Sequence, residues 1–326
     1  MMQMKKSLLM GMALAMVLGT ATMSAAEAAK QFKVGVCQLV EHSALDAANK
    51  GFVDGLAKRG FKSGENVVFD QQNAQADQSN LQNIAHRFVA AKVDLICAIA
   101  TPAAQTMANV TDEIPVVGTA ITDYVSAKLA KSNDKPGRNV TGTTDMNPIA
   151  AQVDMLVKFV PNIKTVGTIY CSSEVNSQVQ IDIMKAYAAK KGLQVVEATV
   201  STVNDIQQAA RSLVGKCQGV YVPTDNILAS AMPTLVEVTN EAKLPVVAGE
   251  GGMVKEGAMA SLAIDYYTLG LQTGYMAADI LNGKSKPADM AIQGQKDCQP
   301  IVNAKTLKVL GLKIPAEYKN ATVVGK

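Results

Sequence analysis

The chain has 326 residues, 48% of them hydrophobic and 18% charged, and its 31 Lys+Arg against 28 Asp+Glu leave a formal net charge of +3. At roughly 100–200 residues per domain this corresponds to about two domains, each long enough to bury a full core. With 4% aromatics, no Trp and no polybasic block, nucleic acid and an anionic bilayer are excluded as expected partners, and collagen-like, disordered and multi-span membrane classes lie outside this composition.

The N-terminal stretch reads as an address. Lys5 and Lys6 form a positive start, Ser7 to Leu18 is apolar, and Thr20 to Ala29 is rich in small residues. This is the pattern of a secretory signal peptide over residues 1–28, with A-x-A-like cleavage expected after Ala26 or Ala28. The apolar core is shorter than the ~20 residues a membrane span requires, and no Cys follows it to accept a lipid. The expected location is the periplasm, after cleavage. Five cysteines (Cys37, Cys97, Cys171, Cys217 and Cys298) leave at least one unpaired, and no C-x-x-C occurs. Cys37, Cys97 and Cys171 lie in apolar strand-like runs and read as buried thiols, while a Cys217–Cys298 pair stays open.

Beyond the leader, short apolar strands alternate with helices. Residues 31–38 read as a strand, 43–59 as a helix stopped by Gly60, 66–70 as a strand and 79–91 as a helix. A strand over 93–100, a helix over 103–110 and a strand over 114–118 follow. Near-continuous apolar strands in this βαβα rhythm predict parallel sheets covered by helices on both faces. The second half repeats the first, with a strand over 164–171 and a helix over 176–191 stopped by Gly192. Gly35 and Gly167 stand 132 positions apart, as do Gly60 and Gly192, and Pro115 and Pro245 stand 130 apart. So long a period means two copies of one domain rather than a solenoid. The expected fold is α/β, with two similar doubly wound parallel-sheet lobes.

Ligands of open α/β sheets bind beyond the carboxyl ends of the strands, so two lobes facing through those ends make a cleft that closes by a hinge. The strand-end loops are polar. The first lobe offers Gln38 to Asp46, Thr101-Pro102 at a helix start, Thr119 to Asp123 and Thr141 to Asp145. The second offers Ser172 to Ser177, Pro223 to Asn226, Gly249 to Gly252 and Asp265 to Tyr267. A helix N-terminus at Thr101 suits a carboxylate, and Asp225 and Glu250 suit an ammonium. Tyr124, Tyr170, Tyr221, Tyr266 and Tyr267 are candidate walls. Together these loops predict a small zwitterion as ligand. No G-x-S-x-G elbow, Walker loop or complete G-x-G-x-x-G is present, and the histidines are His42, in a cleft loop, and His86, on an amphipathic helix. No catalytic constellation, cofactor or metal site is expected.

Several blocks also resemble one family: Glu41 to Asp46 with Gly51-Phe52, Ala100 to Gln105, Ile114 to Val117, Asn139 to Gly142, Glu174 with Asn176-Ser177, Val222 to Asn226, and Gly249 to Val254 with Ile264 to Tyr267. In this order, from about residue 33 to 315, they are similar to ABC-transporter substrate-binding proteins of the tryptophan/tyrosine-binding type. The resemblance implies a type I periplasmic-binding-protein fold with a three-crossover hinge. One lobe would be 29–146 plus about 267–295, the other 147–266 plus about 296–326. It implies capture of an aromatic amino acid for delivery to a permease and ATPase, and no enzymatic activity. By position it assigns Gln38, His42, Asp46, Thr101, Thr122, Asp123, Ser173, Asn176, Asp225 and Glu250 to ligand binding. Asp123-Tyr124 replaces the family's usual Asp-Pro, and Cys171-Ser-Ser its Asn-Pro-Ser-like loop, so both departures fall at the expected cleft, where Tyr124 would narrow it or offer a stacking face. A ligand-sensing partner of a membrane kinase or chemoreceptor is the alternative, since the same cleft would serve it. An exported hydrolase using His42 or a cysteine is the third reading.

Overall fold

The structure is a computed structural model that describes residues 31–325; the expected leader lies outside the described residues. The first half builds β1 (Phe32–Gln38), α1 (Ser43–Lys58), β2 (Val67–Asn73), α2 (Gln78–Ala91), β3 (Leu95–Ile99), α3 (Thr101–Val110), β4 (Val116–Ile121) and β5 (Val140–Thr144). The second builds α4 (Ile149–Phe159), β6 (Thr165–Cys171), α5 (Val175–Lys190), β7 (Gln194–Val200), α6 (Ile206–Leu213), β8 (Gly219–Val222), α7 (Asn226–Ser230), α8 (Met232–Glu241), β9 (Val246–Ala248), α9 (Gly251–Lys255) and β10 (Ala260–Ala263). Then follow α10 (Tyr266–Leu281), β11 (Gln293–Gly294), β12 (Gln299–Asn303), α11 (Ala304–Leu310) and β13 (Thr322–Val324).

The described strands form a six-stranded sheet in the order β11-β5-β4-β3-β1-β2 and a seven-stranded sheet in the order β13-β12-β10-β9-β8-β6-β7. The chain passes from the first sheet to the second after β5, returns through α10 to β11, and leaves again for β12 and β13. Those are the three crossovers of the expected fold. All pairings are parallel except β10 with β12, which runs antiparallel along Ala260↔Val302 to Ala263↔Gln299. Central strands such as β3 and β4 are buried along their whole length, as sheets covered on both faces require.

The repeat read in the sequence is structural. Gly35 in β1 lies under the Phe88 ring and Gly167 in β6 under Cys217, and in each place a Cβ would fall within 2.9 Å of that neighbour. Gly60 and Gly192 follow the ends of α1 and α5 with φ of 92° and 70°, the left-handed turn that glycine adopts at little cost.

The segment returned to the first sheet is held by backbone contact. Gly51 and Gly55 of α1 face Gly270 and Gly274 of α10, and a Cβ on Gly55 would lie 2.6 Å from the Leu271 carbonyl oxygen, one on Gly274 2.5 Å from that of Phe52. Cβ atoms on Gly51 and Gly270 would overlap the carbonyls of Tyr267 and Ala48. Tyr266, at the first turn of α10, is thereby fixed relative to His42, at the start of α1. Cys37, Cys97, Cys171, Cys217 and Cys298 are all free thiols, so the open Cys217–Cys298 pairing is not formed. Burial pushes the Cys37 thiol up to about 12, well away from the reactive thiolate.

Candidate functional site

The strand ends of the two sheets meet over a narrow cavity. Its wall comprises His42, Leu45, Ala120, Thr122, Asp145 and Tyr266 from the first-sheet side and the crossovers, and Asn176, Thr224, Asp225, Asn226, Ala229, Glu250 and Met253 from the second. The space between its atoms, open solvent at the mouth included, is about 270 Å³. Two contacts bridge it: Thr122 Oγ1 with Thr224 Oγ1 at 3.3 Å, and His42 Nε2 with Asn226 Oδ1 at 3.4 Å.

The acids are placed by helix starts. Asp225 precedes α7 and accepts from Leu228 N–H at 2.9 Å, Cys171 N–H at 2.6 Å and Ser177 Oγ at 2.7 Å. Glu250 precedes α9 and accepts from the Gly252 and Met253 N–H groups. Each satisfies first-turn donors that a helix cannot pair internally. Glu174 accepts from the Asn226 amide and backbone and from Asn176 Nδ2. Asp145, just past β5, accepts from Thr122 Oγ1 at 2.9 Å and Tyr266 OH at 2.7 Å.

No Lys or Arg stands in the wall to balance these carboxyls. Burial raises all four, Glu250 to about 7. Asp145 and Asp225 rise by burial against the hydrogen bonds they receive. Glu174 rises by burial and by the neighbouring Asp225. Burial also drives His42 down to about 4, so both residue types tend toward neutrality. Among the buried polar atoms that find no partner in the described residues, three belong to residues singled out in the sequence: His42 Nδ1, Thr101 Oγ1 and Asn176 Oδ1. Buried polar groups are seldom left so.

Of the ten residues singled out in the sequence, His42, Thr122, Asn176, Asp225 and Glu250 line the cavity. Thr101 is buried at the start of α3, beside Ala100, whose φ of 84° and ψ of 154° is a backbone region nearly confined to glycine. Gln38 and Asp46 bond to each other at 2.7 Å and line a shallow surface depression away from the cavity. Asp123 accepts from the Val125 and Ser126 N–H groups in its own turn, and Ser173 is exposed, its hydroxyl 3.2 Å from Cys171 Sγ. Tyr124 offers no stacking face: it is buried, and its OH donates to the Gly118 and Thr143 carbonyls. Tyr221 donates to Gln152, Tyr170 to Glu197 and Tyr267 to Asp54, leaving Tyr266 as the one tyrosine in the wall.

Residues not assigned from the sequence complete it: Asp145, Thr224 and Asn226 in the wall, and Glu174 beside them. All four lie inside loops or blocks already noted, but nothing in one sequence distinguishes an inward side chain from a helix cap or a solvated loop residue. Among the described residues no group of His, Cys, Asp or Glu is arranged to hold a metal ion, and no helix is long and apolar enough to cross a membrane.

Three comparisons bear on this geometry. A tyrosine-binding protein of Clostridioides difficile (strain R20291) is 45% identical over 284 residues, 87% of this chain and 82% of that protein. An ABC domain from Streptococcus pneumonia, solved in complex with L-Trp, is 40% identical with a TM-score of 0.87, covering 90% of this chain and 100% of that one. A ligand-free, open substrate-binding protein with adhesive properties from Clostridium difficile is 47% identical, over 90% of this chain and 99% of that one, yet superposes with a TM-score of only 0.69. The family model for the ABC transporter substrate binding protein spans residues 33–323: with its two crossover-linked sheets and acid-lined cavity, the chain belongs to that family of substrate-binding, non-enzymatic proteins.

Proposed function

We propose that this protein captures an aromatic amino acid of the tyrosine or tryptophan type outside the cytoplasm and passes it to an ABC permease and ATPase. The single observation that carries the reading is the buried cavity wall of carboxyls without a Lys or Arg. An ammonium group supplies the cation that such a wall lacks, and the names of the similar proteins add support for the aromatic class. The signal peptide over residues 1–28 would direct the chain to the periplasm and be removed.

In this reading the lobes are 29–146 plus about 267–295 and 147–266 plus about 296–326. The ligand carboxylate lies toward the start of α3, where Thr101 Oγ1 is unpartnered and first-turn N–H groups and the positive dipole end favour an anion. His42, Thr122, Asn176, Asp225 and Glu250 surround the rest. Ligand entry parts the Thr122–Thr224 and His42–Asn226 contacts, and closure re-forms the wall around the guest. Each lobe alone makes half of the contacts, so ligand shifts the hinge population toward closure.

Isothermal titration against all twenty common amino acids tests this. Affinity near micromolar, about −8 kcal/mol, is expected for tyrosine or tryptophan, and the absence of heat from every aromatic amino acid would overturn the ligand class.

A further inference from the structure

The four buried acids around the cavity differ in what already occupies their oxygens. Glu250 and Asp225 are committed to the N–H groups that open α9 and α7. Glu174 is committed to the Asn226 and Ile227 N–H groups and to two side-chain amides. Each of the three would be required for its loop whether or not a ligand were bound. Asp145 is not: the hydrogen bonds its side chain receives from other described residues come from two hydroxyls, Thr122 Oγ1 at 2.9 Å and Tyr266 OH at 2.7 Å, one on each oxygen. A carboxylate offers about four acceptor positions, so each oxygen keeps capacity. Both hydroxyl-bearing residues stand in the same cavity wall, so the free capacity lies among groups that face the cavity.

We propose that Asp145 is the carboxylate that receives the ligand's ammonium group and so sets the requirement for an amine. This rests on the reading above that the ligand is an amino acid. An ammonium carries three donors, and further acceptors share the wall: the Thr224 hydroxyl, 3.3 Å from that of Thr122, and Asn176 Oδ1, buried and without a partner. The position also explains why amine recognition and lobe position are joined. Asp145 begins the first crossover and Tyr266 the second, while Thr122 meets Thr224 across the cavity. The ammonium therefore docks on the junction of both crossovers and both lobes.

The test compares L-tyrosine with 3-(4-hydroxyphenyl)propionate, which lacks only the amine, by isothermal titration of the wild type, Asp145→Asn, Asp225→Asn and Glu250→Gln. The wild type is expected to prefer L-tyrosine by about 100-fold or more. Asp145→Asn, which keeps the shape and loses the charge, is expected to weaken L-tyrosine by about that factor while the deaminated compound changes little, so that their ratio falls toward one. A ratio preserved in Asp145→Asn, or collapsed only in Asp225→Asn or Glu250→Gln, would overturn the assignment. If Asp145→Asn does not fold, a crystal structure of the wild type with L-tyrosine decides: nitrogen within about 3.2 Å of an Asp145 oxygen supports it, and contact with another acid alone overturns it. Failure of the wild type to bind any aromatic amino acid overturns the ligand class instead, a result distinct from unchanged discrimination in a binding-competent variant.

Discussion

Burial moves Glu250 and His42 in opposite directions on the pH axis but toward the same neutral state. Glu250 rises from 4.5 to about 7, so between those values the folded chain holds a proton that the unfolded chain has lost. Its contribution is complete at low pH and is lost as pH rises through 7. His42 falls from 6.5 to about 4, so its contribution is present above pH 6.5 and is lost as pH falls toward 4. The two partly cancel in the wild type, and differences between variants separate them. The stability of the wild type relative to Glu250→Gln is expected to fall by on the order of 3 kcal/mol between pH 4 and 8, and relative to His42→Gln to rise by a similar amount, measured by urea unfolding across that range. Asp225 and Glu250 were legible in the sequence because an acid between a strand and a helix is both a cap and a strand-end group. Asp145 was less so, as it caps nothing and its partners, Thr122 and Tyr266, lie 23 and 121 positions away. Tyr124 misled for a related reason. It follows a strand end, but its ring lies in the core with its OH on the Gly118 and Thr143 carbonyls.

The helix pair α1 and α10 depends on missing side chains rather than on present ones. At Gly270 a Cβ would meet the Ala48 backbone, which cannot rotate away as a flexible side chain can. Gly270→Ala is expected to cost 3 kcal/mol or more, in the range of severe overpacking. Gly192→Ala serves as the contrast, with φ of 70° and open space around it, and should cost about 1 kcal/mol, the left-handed penalty alone. Denaturant midpoints of the two variants measure both. Most elements were readable from apolar runs and glycine stops: α1, expected over 43–59, runs Ser43–Lys58, and α5, expected over 176–191, runs Val175–Lys190. Strand limits shifted further, as β4, expected over 114–118, runs Val116–Ile121, because pairing with neighbours decides where a ladder stops. The facing of four glycines in α1 and α10 was not readable, since they are about 220 positions apart and only the third dimension joins them.

For the molecule as a whole, a cavity of buried acids whose protons are held more tightly by burial and a cationic guest are linked through protons. Ammonium binding favours the ionised carboxyls, so capture of an amino acid should release protons and tighten as pH rises from 5 to 8. Titration in buffers of different ionisation heat measures the release, and uptake of protons instead would contradict an ammonium among these acids. Small-angle scattering should show the molecule contracting when a bound amino acid draws open lobes together. The three crossovers carry a separate consequence, for synthesis. The first sheet needs α10 against its glycine face and β11 at its edge, and the second needs β12 and β13. A nascent chain that has reached Ala263 therefore holds two unfinished cores and no finished one. Neither lobe is one contiguous stretch of chain, so neither core can close until the segment from Tyr266 to Val324 is available to it, which defers the commitment to fold.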